Sequence, residues 1–237
     1  MNEAAKPRGV LVTRPEPGAA ETAAKLRALG WQPVLAPALV LSPLPFARPP
    51  RAQALLLASR AAARALDPWD IRVIAVGEAT AEEARARGFT RVAAAEGDAA
   101  ALTEHVAARL RPEDGPLLLA VGRGYSLDLA GALRARGFAV IRRVVYAAAP
   151  APALPDEAAL ALRDRTIRAA LFFSPRSAGA TISQLRDAGL VPCLASVEAL
   201  AISPRVAKTL SGLCAWQDVR AAPRPDQDSL LETLGQP

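Results

Sequence analysis

The most constraining feature of the sequence is an apolar run that stops abruptly and hands over to a helix. Arg168-Ala169-Ala170-Leu171-Phe172-Phe173 breaks at Ser174-Pro175-Arg176-Ser177, and a helical segment closed by Gly189 follows. A strand buried on both faces reads as such an uninterrupted run, and parallel sheets are where those strands occur. Ala54-Leu55-Leu56-Leu57-Ala58-Ser59-Arg60-Ala61-Ala62 repeats the phrase, with Ser59 in the place of Ser174. Open α/β sheets bind ligands at the carboxyl ends of their strands, so both serines fall on candidate binding edges.

The rest of the chain keeps this alternation. Val10-Leu11-Val12 breaks at Thr13-Arg14-Pro15, a helix is expected over Ala19 to Leu29 with Glu21 and Lys25 paired, and Trp31 to Leu35 is the next strand. A helix from Arg60 to Leu66 and a strand Val73 to Val76 follow. Gly77-Glu78-Ala79-Thr80 interrupts before a helix from Ala81 to Arg87, and Asp98 is placed to N-cap a helix from Ala99 to Leu110. Leu117 to Val121 breaks at Gly122-Arg123-Gly124 before a helix from Leu127 to Arg136. Gly30, Gly88 and Gly137 each close a helix ahead of an aromatic residue, the pattern of a left-handed C′ glycine. Further strands are expected over Val140 to Tyr146, Ser196 to Ile202 and Gly212 to Val219, with a terminal helix from Asp228 to Leu234.

Two proline-rich passages interrupt this grammar, Pro37 to Pro50 and Ala147 to Pro155. Proline cannot occupy a helix interior, so both read as crossings between domains. The expected fold is α/β, with two doubly wound parallel-sheet lobes joined by two linkers and a ligand cleft between them. Residues 1–37 and 151–237 would form a discontinuous first lobe, and 38–150 an inserted second one.

Composition narrows the function classes. With 51% hydrophobic and only 4% aromatic residues, the core must be built from Ala, Leu and Val. A net charge of +6 suits an anionic partner, nucleic acid or a small polyacid. The arginines are spread over every helix with no aromatic-interleaved patch, which argues against nucleic acid. Cys193 and Cys214 are far apart and read as two buried, reduced thiols. Met1 to Gly9 lacks the apolar core of a signal peptide, and no apolar run reaches the ~18 residues of a membrane span, so a cytoplasmic chain with no membrane partner is expected. His105, the only histidine, sits in a helix away from any candidate nucleophile, so a Ser-His-Asp triad or a histidine metal site is not expected. Gly122-Arg123-Gly124 is a fragment of a dinucleotide fingerprint without its third glycine. What remains is a set of strand-end loops: Thr13-Arg14, Ser59-Arg60, Gly77 to Thr80, Gly122 to Tyr125, Ser174 to Ser177 and Ser203 to Arg205. Hydroxyls, helix N-terminal amides and arginines there favour anions.

Taken together these residues resemble the uroporphyrinogen-III synthase family over nearly the whole chain. Val10 to Pro15 with Leu26 to Gly30 resembles the family's opening, and Leu56-Leu57-Ala58-Ser59 its strand ending in serine. Ala75 to Ala81 resembles its Val-Gly-x-x-Thr-Ala turn, and Val144-Val145-Tyr146 the segment carrying its functional tyrosine. Leu171 to Ala178 is the closest match. Ser203-Pro204-Arg205-Val206-Ala207 departs from the family's second turn, with serine for glycine and Val206 where a threonine is usual.

The resemblance implies an enzyme that cyclises hydroxymethylbilane, a linear tetrapyrrole polycarboxylate. Water is lost, and the last pyrrole ring inverts through a spiro intermediate. It implies no cofactor and no metal, and a monomer is expected. By the same resemblance Tyr146 protonates or orients the departing hydroxyl, and its bland reading is a packing residue. Arg14, Ser59, Gly77, Thr80, Arg123, Ser174, Arg176 and Ser177 are the expected substrate-binding residues. The alternative is a non-catalytic tetrapyrrole-binding module of the same bilobal fold, supported by the altered turn at Val206.

Overall fold

The computed structural model describes residues 8–124 and 127–237. Tyr125 of the expected Gly122 to Tyr125 loop, and the first seven residues of the Met1 to Gly9 stretch, lie outside the described residues. The chain opens with β1 (Gly9–Val12), α1 (Gly18–Ala28), β2 (Gln32–Leu35) and β3 (Leu39–Pro43). It continues through β4 (Ala54–Leu57), α2 (Arg60–Arg64), β5 (Val73–Ala75), α3 (Glu78–Ala86), β6 (Val92–Ala94), α4 (Ala99–Arg109), β7 (Leu117–Gly122), α5 (Leu127–Ala135) and β8 (Val140–Pro150). It ends with α6 (Asp156–Arg163), β9 (Ile167–Phe172), α7 (Pro175–Asp187), β10 (Glu198–Ala201), α8 (Pro204–Ser211), β11 (Asp218–Ala221) and α9 (Gln227–Glu232). Two compact units result, Met1–Val40 with Ala149–Pro237 and Leu41–Ala148.

In unit one the described residues form a five-stranded sheet ordered β11-β10-β9-β1-β2, parallel throughout. Its strand residues alternate between two cores. Leu11, Ala170, Phe172 and Ala201 face α6, α7 and α8, while Val10, Val12, Leu171 and Leu200 face α1 and α9. The central strands β1, β9 and β10 are almost wholly buried because helices cover both sides of the sheet there.

The second sheet is ordered β3-β8-β7-β4-β5-β6, with β4 to β8 parallel. Leu56, Leu117 and Leu119 pack on α4 and α5, and Leu55, Leu57, Leu118 and Ala120 on α2 and α3. Unit one starts on β1 and unit two, after its edge strand β3, on the central β4; each then builds outward to one side and returns to the other. Strand order therefore reverses between β1 and β9 in unit one and between β4 and β7 in unit two.

Three expectations are corrected. In the proline-rich passages β3 and β8 run as hydrogen-bonded neighbours. Leu44 N–H donates to Val145 O at 2.8 Å and Ala151 N–H to Ala38 O at 2.9 Å, so the two run antiparallel. Pro43 is tolerated because β3 is an edge strand. The helix expected from Ala81 starts at Glu78, since Gly77 with extended backbone serves as its N-cap. The strand expected from Gly212 starts at Asp218; Gly212 closes α8 and Trp216 packs edge-on against Phe172 with 5.5 Å between ring centroids. The two free thiols are half-buried rather than buried. Burial raises the Cys214 thiol pKa, opposed by nearby Arg186, so it is a poor nucleophile.

Asp98 caps α4 as expected, accepting from Ala101 N–H at 2.7 Å. Gly30, Gly88 and Gly137 all take positive φ, which only glycine adopts without strain.

Candidate functional site

Four strand-to-helix turns share one backbone shape. Ser59, Gly77, Ser174 and Ser203 are the N-caps of α2, α3, α7 and α8, all extended with φ between −158° and −168°. Each follows a central parallel strand, so each aims a helix N-terminus at the carboxyl edge of its own sheet. First-turn amides there lack intrahelical partners and favour negative charge.

In unit two the site is built around Tyr146. On β8, Val144 pairs with Val121 of β7, but Tyr146, not Val145, pairs with Gly122. This bulge breaks the alternation of faces. Val140 and Val144 pack toward α4 and α5, whereas Val145 and Tyr146 both turn to the α2 and α3 side. There the Tyr146 hydroxyl lies 3.3 Å from Ser59 Oγ. Arg123 N–H donates to Tyr146 O at 2.9 Å and fixes the backbone. The ring packs directly against Gly122. A methyl group built there would be 2.5 Å from Tyr146 Cζ and 2.7 Å from its Oη. Gly122, expected only as the start of a strand-end loop, thus also forms the seat of the Tyr146 ring.

The neighbouring turn follows β5. Thr80 is only 6% exposed, and its hydroxyl has no hydrogen-bond partner among the described residues. Gly77 is held by close approach rather than by its dihedrals, since a Cβ there would lie 3.1 Å from Gly97 Cα. Ser59 Oγ accepts from Ala62 N–H at 3.2 Å, leaving its proton for Tyr146 or a ligand. The exposed Arg123 guanidinium has no partner among the described residues. The structure therefore brings Ser59, Arg123 and Tyr146 together at the strand-order reversal, with Gly77 and Thr80 one strand away.

Unit one arranges its reversal differently. Thr13 is fully buried and donates to Leu171 O at 2.7 Å, joining β1 to β9. Arg14 lies 4.3 Å above the Phe173 ring and donates to Gln227 Oε1 at 2.7 Å. Its guanidinium occupies the space over Gly18, where a Cβ would collide with it. Arg14 is thus engaged in tying α1 and α9 to the sheet edge, a role the sequence did not signal. Ser174 Oγ accepts from Ser177 N–H at 3.1 Å, and Ser177, 1% exposed, donates to Ser174 O at 3.0 Å. Arg176 is exposed on the first turn of α7. Ser203, by contrast, makes no side-chain cap, and Val206 is buried in the core.

Among the described residues no group of His, Cys, Asp and Glu is arranged to hold a metal ion, and no helix is long and apolar enough to cross a membrane.

Comparison with known proteins places this arrangement. The family model described as "Uroporphyrinogen-III synthase HemD" matches residues 20–232. The chain belongs to the uroporphyrinogen-III synthase family. It is accordingly an enzyme of porphyrin biosynthesis, a cyclising lyase. The crystal structure of uroporphyrinogen-III synthetase from Helicobacter pylori is 16% identical, with TM-score 0.60 over 96% of this chain and 98% of that one. At that identity the likeness establishes the shared fold. A mutant uroporphyrinogen III synthase from Thermus thermophilus is 19% identical, with TM-score 0.47 over 95% and 96% of the two chains. No curated protein matches the sequence. Within the uroporphyrinogen-III synthase family assignment, both the Tyr146 turn and the Ser174 turn fall inside the matched residues.

Proposed function

We propose that the chain converts hydroxymethylbilane to uroporphyrinogen III, closing the macrocycle with loss of water and inversion of the last ring through a spiro intermediate. The observation that carries this reading is the Tyr146 phenol, held at the carboxyl edge of unit two against Gly122 and beside Ser59. A phenol fixed in that way can donate to, or orient, a departing hydroxyl. Ser59, Thr80, Arg123 and the first-turn amides of α2 and α3 offer donors for the substrate's carboxylates. Ser174, Ser177 and Arg176 offer a second set at the edge of unit one. Substrate pyrroles are intrinsically reactive, so the enzyme's contribution is to impose one geometry on a flexible polyacid.

Isomer ratio is the decisive readout, because free substrate closes to the uninverted product. Given hydroxymethylbilane alone, catalytic amounts of the protein should yield mostly the inverted isomer. Dominance of the uninverted isomer, with tetrapyrrole still bound, would leave only the binding-module reading. In that case Val206→Thr, restoring the hydroxyl missing from the α8 turn, is the next variant to assay.

A further inference from the structure

At the opposite, amino-terminal edge of the unit-two sheet lies a concentration of positive charge that the proposed reaction does not use. Arg72 directly precedes β5 and Arg91 directly precedes β6, and the register of those strands sets the two side by side. Both backbones are fixed in the ladder, Arg72 O accepting from Leu55 N–H and Arg91 O from Val73 N–H, each at 2.8 Å. Arg109, the last residue of α4, brings a third guanidinium to the same recess, whose volume is about 410 Å³. Thr90 and His105 complete its polar lining over a floor that includes Ile74 and Val92.

Compensation for this charge is slight. Arg91 meets Asp70 at 3.1 Å, and that carboxylate is 85% exposed. Arg72 and Arg109 have no hydrogen-bond or ion-pair partner among the described residues. Like charges side by side on adjacent strands oppose folding. A second recess of about 370 Å³ shares Arg72 and Arg91 and extends to Arg48, which stacks 4.5 Å above the Trp69 ring. Two recesses joined through the same pair of arginines suit a ligand with more than one anionic group.

We infer that this edge binds a small multivalent oxyanion, with Arg72, Arg91 and Arg109 forking onto its oxygens and Arg48 reaching it from the adjoining recess. The inference does not depend on the proposed tetrapyrrole chemistry, which sits at the other end of the strands.

His105 makes the inference testable, because it is the only imidazole in the chain. Its Nε2 is buried with no hydrogen-bond partner among the described residues. Burial, and then Arg109, lower its pKa, while Glu96 on the loop before α4 opposes them; Arg72 and Arg91 face it from β5 and β6. An anion seated among those arginines should favour the imidazolium and move its titration midpoint upward. The experiment follows the His105 ring resonance by NMR while tripolyphosphate, and separately citrate, is added at constant ionic strength. A saturable shift with a raised midpoint is expected, and Arg72→Ala with Arg109→Ala should weaken binding about tenfold or more, about 1.4 kcal/mol. Saturation by tripolyphosphate alone assigns a phosphate ligand, saturation by citrate alone a carboxylate one, and saturation by both supports a site for multivalent oxyanions of either kind. No saturable shift with either, or equal affinity in the folded double variant, overturns the site.

Discussion

The two units reverse strand order at the same kind of place but fill it with different chemistry. In unit one the reversal between β1 and β9 holds Thr13 buried on Leu171 O and Arg14 clamped between Phe173 and Gln227. In unit two the reversal between β4 and β7 holds Tyr146, with its hydroxyl beside Ser59 and its ring on Gly122. The flanking turns differ in the same sense. Pro175 and Pro204 stiffen the first turns of α7 and α8, whereas Arg60 and Glu78 occupy that position in α2 and α3. The unit-one reversal is braced by its own side chains, whereas the unit-two reversal holds a phenol beside the Ser59 hydroxyl. Equivalent topology therefore does not make the two reversals equivalent in chemistry.

Substitutions at the two reversals can break that contrast. The largest effect is expected from Gly122→Val, which forces the Tyr146 ring off its seat. Turnover of hydroxymethylbilane should fall about 100-fold, more than loss of the hydroxyl alone, because a displaced ring also disturbs Ser59 and the Arg123 backbone beside it. Adding Tyr146→Phe should deepen the loss no further; an additive loss would show that Gly122 acts independently of the phenol. Next, Arg14→Ala should cost about 2 kcal/mol of stability, from a lost cation–π contact and a lost charged hydrogen bond. A lower urea midpoint with kcat nearly retained would mark unit one's reversal as structural, and a collapse of kcat at unchanged stability would erase the distinction.

Tyr146→Phe alone should slow turnover roughly fivefold, about 1 kcal/mol, with an unchanged urea midpoint. An unaltered rate would reduce Tyr146 to packing. The smallest effects separate two turns within unit one. Ser174→Ala removes a cap and should cost about 1 kcal/mol, while Ser203→Ala removes no side-chain cap and should stay within about 0.5 kcal/mol. Equal losses in thermal melts would mean that capping does not distinguish them.

Much of this architecture was legible because buried parallel strands and their helix caps are local signals. The runs Ala54 to Leu57 and Ile167 to Phe172 announce strands through composition alone. Ser59 and Ser174 are legible as the polar ends of those strands, and the structure adds that each caps the helix that follows. The bulge at Val145 was not, because alternation assigns Tyr146 to the face it does not occupy. Only pairing with Gly122 on another strand decides the side. Arg14 was equally opaque: its partner Gln227 is far away in sequence, and an arginine after a strand reads the same whether it binds ligand or helix. β3 was hidden by Pro43 and the prolines around it, which an edge position tolerates and composition penalises.

The split of unit one also governs how the chain is assembled in time. β1 pairs with β9, whose residues 167–171 are made only after all of unit two. During synthesis the first strand and its helix thus wait without their central neighbour, while the inserted unit already has every strand from β4 to β8 in hand. Such distant pairing is slow and leaves an unpaired edge exposed in the interim. Vectorial synthesis therefore favours completion of the tyrosine-bearing unit first, with closure of the split unit the late event that commits the whole chain.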